Sequence, residues 1–399
     1  MATTPTARRD LRSLPKAHLH LHFTGSMRHT TLLELAEREG LVLPDALVED
    51  WPPVLSAADE KGWFRFQRLY DVARSVLCTE GDVRRLVLEA AEDDVADGSR
   101  WLEIQVDPSG YAAKFGGITA FTDLVLDAVR QASEATGLGI GVIIAANRTR
   151  HPLDARTLAR VAAQYSDRGV VGFGLSNDER RGRTEDFAAA FAIARRADLN
   201  LVPHGGELLG PASVRTCIDQ LGARRLGHGV RSVEDPALLD ELVAAGVALE
   251  VCPTSNVSLG VYSDLSSVPL PQLLDAGATV ALGADDPLLF GSRLAGQYAT
   301  MRAAHDLSDH TLAGFRADVI AGLTCSQRHC GSRISRHRHL VGTIRGMTSY
   351  PGSGPVEPTN EPIAPLAPPA AVPPVVSEPT APISSAATPE PGYWEKAGC

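Results

Sequence analysis

The sequence predicts an α/β protein, a (β/α)8 (TIM) barrel with extra helices after the first strand and a disordered, Pro-rich C-terminal tail. Three observations carry that prediction. Eight short β-rich runs alternate with helical patterns between Lys16 and Leu282, and such alternation signals βαβ units in a parallel sheet. The first run is followed by His22-Phe23-Thr24-Gly25, not by the Gly-rich phosphate turn that an open nucleotide-binding sheet would carry there. Ionisable residues also cluster at the C-terminal ends of several runs, where barrels keep their chemistry.

The first strand reads Lys16-Ala17-His18-Leu19-His20-Leu21-His22. Strict alternation would put His18, His20 and His22 on one face, with Ala17, Leu19, Leu21 and Phe23 on the other. Buried imidazoles need partners. A metal ion is an economical one; hydrogen-bonded core histidines or a polar strand face are the alternative. Thr30–Glu39 then carries Leu32, Leu33, Leu35 and Ala36 at helical spacing and stops at Gly40. Residues 44–80 form an aromatic excursion, in which Trp63–Tyr70 predicts a helix with an apolar face. Core packing accounts for that face more simply than a cover over a ligand.

Helical patterns follow at 82–97, 119–136, 152–165, 184–197, 211–220 and 234–245. The strands between and after them are Trp101–Val106, Gly139–Ala145, Val170–Leu175, Asn200–Pro203, Arg225–Gly227, Val247–Val251 and Thr279–Leu282. Helical patterning over His310–Leu323 ends the barrel, which places one domain at 1–323 and a tail at 324–399. Cys325–Leu340 is basic and without apolar period, and its Cys/His spacing matches no zinc pattern. A read-through or frame-shifted end replacing the last barrel helix accounts for it as well. Residues 351–399 hold thirteen of the 27 prolines, a composition that cannot bury a core.

Composition sets outer bounds. With 399 residues and 44% hydrophobic content the chain can bury a large core. A net charge of -10 argues against nucleic-acid or anionic-membrane partners, which select basic surfaces. No apolar run approaches the roughly 20 residues of a membrane span, and the N-terminus lacks an apolar signal region. The six cysteines are scattered without framework spacing, as in reduced thiols. These features predict a soluble cytoplasmic protein.

The strand ends, taken in order, are His20-Leu21-His22, Ser176-Asn177-Asp178-Glu179, His204-Gly205-Gly206-Glu207, Gly227-His228-Gly229 and Ala284-Asp285-Asp286-Pro287. Three histidines and an aspartate suit zinc and leave a position for water, whose pKa such an ion lowers to about 7. Taken singly, His228 between glycines could be a turn residue, and Asp286 before proline a cap.

Together, Leu14–Arg28 (LPKAHLHLHFTGSMR), His204–Glu207, Gly227–Gly229, Cys252–Asn256 and Asp285–Pro287 resemble the adenosine deaminase family of the metal-dependent amidohydrolases. The resemblance covers residues 14 to about 320. It implies one zinc ion per subunit held by His20, His22, His204 and Asp285. It further implies Glu207 as the acid that protonates purine N1, His228 as the group that orients water and takes its proton, and Asp286 as the hydrogen-bond partner of N7. The implied reaction is hydrolytic deamination of adenosine or 2'-deoxyadenosine to inosine or deoxyinosine plus ammonia, with a small-molecule purine nucleoside as partner.

Three positions depart from the family pattern. His18 stands where relatives carry Glu, which makes it a neighbour of the metal pair. Thr24 replaces an acidic residue that holds the ribose 5'-hydroxyl, and losing such a charge-assisted bond is worth about 1.5–3 kcal/mol. Asn177 replaces a glycine whose backbone approaches N3. Adenosine is the first substrate expected, with 6-aminodeoxyfutalosine or free adenine as alternatives. A binuclear site is disfavoured because the fourth strand end, Leu175–Arg180, has no lysine to bridge two metals. An inactive barrel scaffold is the non-enzymatic alternative, although every residue of the set is present.

Overall fold

The computed structural model describes residues 9–315. Eight strands lie in sequential order in one sheet: β1 (Lys16–His22), β2 (Ser99–Val106), β3 (Gly139–Asn147), β4 (Val170–Ser176), β5 (Asn200–Gly205), β6 (Arg225–His228), β7 (Ala248–Val251) and β8 (Thr279–Leu282). Every adjacent pair is parallel. The ring closes just past β8, where the His22 amide donates to the Asp285 carbonyl at 2.9 Å and the Asp285 amide to the His20 carbonyl at 3.0 Å. The fold is the (β/α)8 barrel that the sequence predicts, and its last strand contact is made by residues of the candidate site itself.

Three helices separate β1 from β2: α1 (His29–Glu39), α2 (Glu60–Ser75) and α3 (Glu80–Ala96). Their ends follow from local chemistry. The Asp59 carboxylate caps α2 by accepting from the Gly62 amide, Thr79 and Asp82 form a reciprocal capping box on α3, and α1 stops at Gly40 with φ at +63°. Then come α4 (Ile118–Thr136), α5 (Pro152–Gln164), α6 (Ala188–Arg196), α7 (Pro211–Thr216) and α8 (Pro236–Ala244), each after the next strand. Two short helices, α9 (Pro253–Ser258) and α10 (Leu270–Asp275), follow β7, and α11 (Pro287–Phe290) and α12 (Leu294–His305) follow β8. The helix expected over 184–197 opens with a 3₁₀ turn, Thr184–Phe187, and that over 211–220 finishes in a π turn, Cys217–Leu221. Helix α12 has no counterpart in the patterns read from the sequence.

The main core lies between strands and helices, where Leu102 and Ile104 of β2 join Leu86 and Val87 of α3 and Phe121 and Val125 of α4. The alternate residues of β2 point inward. Trp101 joins Ala17, Leu19 and Ala281 in a small separate apolar cluster. One step further along the axis, Arg225 of β6 spans the interior between Glu103 of β2 (2.5 Å) and Glu250 of β7 (2.7 Å). Removing one partner of so buried a network is costly, because the remaining charge has no water to turn to.

Strand β1 departs from the strict alternation expected of it. Between His18 and Leu21 it carries one residue more than β2 does between Leu102 and Ile104, a β-bulge that reverses the side-chain faces. His20 and His22 therefore point into the barrel. His18 points to α3, where its Nδ1 meets Asp94 at 2.8 Å, and its Nε2 accepts from the Ala284 amide at 3.0 Å. The expectation that all three histidines share a face is corrected by this extra residue.

Among the described residues no helix is long and apolar enough to cross a membrane. Residues 309–315 are helical, in keeping with the start of the pattern at His310. The boundary expected at residue 323, the Cys/His run at 325–339 and the Pro-rich tail lie outside the described residues.

Candidate active site

The predicted residues converge at the C-terminal mouth of the barrel. His20 and His22 come from β1, His204 from β5, His228 from β6, and Asp285 and Asp286 from the turn after β8. Ring centroids of His20 lie 5.2 Å from His22, 4.7 Å from His204 and 4.9 Å from His228. The Nε2 atoms of His22 and His204 are 3.2 Å apart, and Asp285 Oδ1 lies 3.3 Å from His22 Nε2 and 3.9 Å from His20 Nε2. Donor atoms of His20, His22 and His204 lie within 4.8 Å of one another, as do those of His20, His228 and Asp285.

Backbone strain helps to aim these groups. Asn177, His228 and Asp285 all have positive φ, at 80°, 64° and 62°, a region that non-glycine residues enter at a cost. Glycines make room where side chains crowd: a Cβ on Gly227 would lie 2.9 Å from His20 Cε1, and one on Gly25 only 1.8 Å from Asp286 Oδ1.

The donor set fits a single divalent cation. His20 Nδ1 is bonded to Glu250 Oε2 at 2.9 Å, whereas its Nε2 is buried with no hydrogen-bond partner. Carboxylate on one nitrogen and a bare lone pair on the other is the usual preparation of a metal-binding imidazole. Burial, aided by the neighbouring rings, lowers the pKa of His204 well below the ordinary imidazole value. Burial likewise depresses His22 to about 4, against the pull of Asp285. Both are thus neutral and able to donate electron pairs at pH 7. Asp285 Oδ2 accepts from the Ser255 hydroxyl at 2.5 Å.

Around this cluster lie further buried titratable groups. Glu207 is almost fully buried. Burial, reinforced by the charges of Asp285 and Glu179, raises its carboxyl pKa well above the usual range and so favours its protonated form. Burial takes His228 down to about 3. Its Nε2 faces Glu207 at 3.6 Å and Asp285 at 3.9 Å, and its Nδ1 faces the Asn256 side-chain amide at 3.4 Å. The atom at that distance is Asn256 Nδ2, and Oδ1 has no partner; exchanging the two amide atoms would turn the oxygen to Nδ1–H and leave the Nε2 lone pair free to accept a proton. Asp286 is buried, and its Oδ1 has no partner.

These groups open on a cavity also lined by Trp63, Phe66, Gln67, Tyr70 and Arg74 of α2, and by Asp107, Tyr111 and Asn147. The apolar face of Trp63–Tyr70 is thus both core and cavity wall. Asn177 is clamped to that wall: Trp63 Nε1 donates to its Oδ1 at 3.1 Å, and its Nδ2 donates to Gln67 at 2.9 Å. Thr24 is placed differently from the others. It is fully buried, does not line the cavity, and its hydroxyl is hydrogen-bonded to that of Tyr111.

Glu103, Arg225, Glu250, Ser255 and Glu179 are participants that the sequence did not reveal. For the first three a signal existed, since each is a charged residue within an otherwise apolar strand run. Nothing in the spacing told which way those side chains pointed.

Comparison with known proteins agrees with this fold. The sequence model of the family described as adenosine deaminase matches residues 15–330. A Streptomyces virginiae protein named "Putative adenosine/adenine deaminase" is 62% identical over 314 residues, covering 79% of this chain and 93% of the relative. An adenine deaminase of Cupriavidus necator is 38% identical over 283 residues, covering 71% of this chain and 79% of the relative. The crystal structure of adenine deaminase from Arthrobacter aurescens superposes with a TM-score of 0.73 at 26% identity, over 84% of this chain and 99% of that one. The chain belongs to the adenosine deaminase family.

Proposed function

We propose that the protein hydrolytically deaminates a 6-aminopurine, with free adenine as its preferred substrate and a zinc ion held by His20, His22, His204 and Asp285. The ion's contribution when bound is to make water a nucleophile at neutral pH. The chain's own residues supply the rest. Glu207, protonated, donates to ring nitrogen N1 and so makes C6 electrophilic. His228 Nε2 accepts the proton of the attacking water. The unpartnered Oδ1 side of the Asp286 carboxyl holds N7, and Trp63 and Phe66 shield the ring from solvent. Water adds at C6, the proton taken by His228 passes to the amino group, the C6 hydroxyl proton returns to Glu207, and ammonia leaves, converting the amine to an oxo group.

The observation that carries the choice of adenine is the Thr24–Tyr111 hydrogen bond. The hydroxyl at the position where family members hold a ribose is committed to a buried tyrosine. The adenine deaminase name of the Cupriavidus relative supports the same choice. Adenosine, the first expectation from the sequence, is the second reading. It is favoured by Gln67, Asp107 and Asn147, polar groups on the same cavity that could serve ribose hydroxyls.

The test is turnover of adenine, adenosine and 6-aminodeoxyfutalosine by zinc-loaded protein, followed by the ultraviolet change of amine-to-oxo conversion. The expected result is the highest kcat/KM on adenine, by at least about tenfold. A preference for either nucleoside would overturn the choice of base over nucleoside. No turnover with one equivalent of zinc bound would favour the inactive scaffold.

A further inference from the structure

The turn after β4 reads Asn177-Asp178-Glu179-Arg180. Glu179 is buried. Its Oε2 accepts three consecutive backbone N–H groups, from Glu207 at 3.0 Å, Leu208 at 2.6 Å and Leu209 at 2.9 Å. Its Oε1 accepts from the Ser213 hydroxyl at 3.0 Å. Successive amides converging on one anion form a nest, and four donors satisfy a buried carboxylate without a counter-cation. The amides precede α7, which begins at Pro211, so the nest orders the loop that carries Glu207. The other residues of the turn are tied to the far wall. Asn177 is clamped by Trp63 and Gln67, and the Arg180 guanidinium pairs with Asp178 and donates to the Ala57 carbonyl at 2.8 Å.

We propose that Glu179 is a positioning residue for the reaction, holding the Glu207 backbone so that the Glu207 carboxyl faces the purine ring. The inference rests on the reading of Glu207 as the proton donor. A loop carrying a proton donor needs an external anchor, because a misplacement of about 1 Å can cost about 10²-fold in rate. Glu179 provides one from a different strand end, 28 residues away in sequence.

The test compares Glu179→Gln, Glu179→Ala and Glu179→Asp in the zinc-loaded enzyme, with adenine as the assayed substrate. In Glu179→Gln the amide oxygen can accept the three N–H groups while its NH2 donates to Ser213, so kcat should stay within about fivefold. Glu179→Ala and the shortened Glu179→Asp should lose about 10²-fold in kcat with KM nearly unchanged. Amide hydrogen exchange at residues 207–209 should accelerate in both. Added to Glu207→Gln, Glu179→Ala should cost almost nothing more, since the two act as a unit. Full additivity, a Gln variant as impaired as Ala, or unchanged exchange would each overturn the proposal. If Glu179→Ala does not fold, Glu179→Asp carries the same comparison. If Glu207→Gln leaves kcat intact, the proton-donor reading has failed. The exchange rates then report independently whether Glu179 holds the loop.

Discussion

At the scale of single residues, the site works through contrasts in environment. Glu207 and His228 face each other at 3.6 Å, yet burial drives their pKa values in opposite directions, up for the carboxyl and down for the imidazole. The two environments favour the protonated form of the carboxyl and the neutral form of the imidazole, the pairing that the proposed acid–base roles require. Gly25 illustrates how little slack remains. A Cβ there would fall 1.8 Å from Asp286 Oδ1, so Gly25→Ala must push the Asp286 carboxyl out of place. The expected outcome is a loss of about 10²-fold in kcat/KM on adenine with zinc content unchanged. Wild-type kinetics in that variant would show that Asp286 is not used.

At the scale of elements, the bulge in β1 and the charged rack inside the barrel belong together. The bulge turns His20 inward, and Glu250 then fixes its tautomer at 2.9 Å while Arg225 holds Glu250 against Glu103. Glu250 is thus placed to raise the basicity of one ligand and to fix its ring. Replacing it by glutamine should weaken zinc binding by about 10–100-fold, measured by competition with a chelator on the folded protein. Unaltered affinity would mean that packing alone aims the His20 ring. Helix α2 acts on the opposite wall, where its bonds from Trp63 and Gln67 to Asn177 join it to the β4 end.

At the scale of the whole molecule, the histidine cluster couples folding to pH. His22 and His228 titrate near 4 and 3 in the folded chain, against about 6.5 when unfolded. Between those values each of these histidines binds more protons in the unfolded state and so contributes stability that is lost on acidification below about 6.5, while the raised carboxyls of Glu207 and Asp286 contribute with the opposite sign. Each such histidine contributes a slope of about 1.4 kcal/mol per pH unit across its window. In metal-free protein carrying Glu207→Gln and Asp286→Asn, which removes those opposing contributions, urea midpoints at pH 7, 6 and 5 should decline accordingly. A midpoint that does not move would contradict buried, neutral imidazoles.

How much of this was legible in the sequence depended on whether local periodicity or long-range contact set the outcome. The eight strands, the helices between them and the convergence of His20, His22, His204, Glu207, His228, Asp285 and Asp286 at one mouth all follow from alternation and order along the chain. A parallel barrel leaves strand ends nowhere else to meet. The facing of His18 did not follow, because a single extra residue in β1 overrides the two-residue period, and only pairing with β2 reveals it. The roles of Glu250 and Glu179 did not follow either. A carboxylate's partner is chosen in space, from strands 230 and 28 residues distant. By itself the sequence determined the barrel and which ionisable residues stand at its strand ends, since these rest on repeating patterns and residue chemistry. The tertiary structure alone decided which nitrogen each histidine presents, which carboxyl keeps its proton and what became of the Thr24 hydroxyl, because burial and hydrogen bonding exist only once the chain has closed.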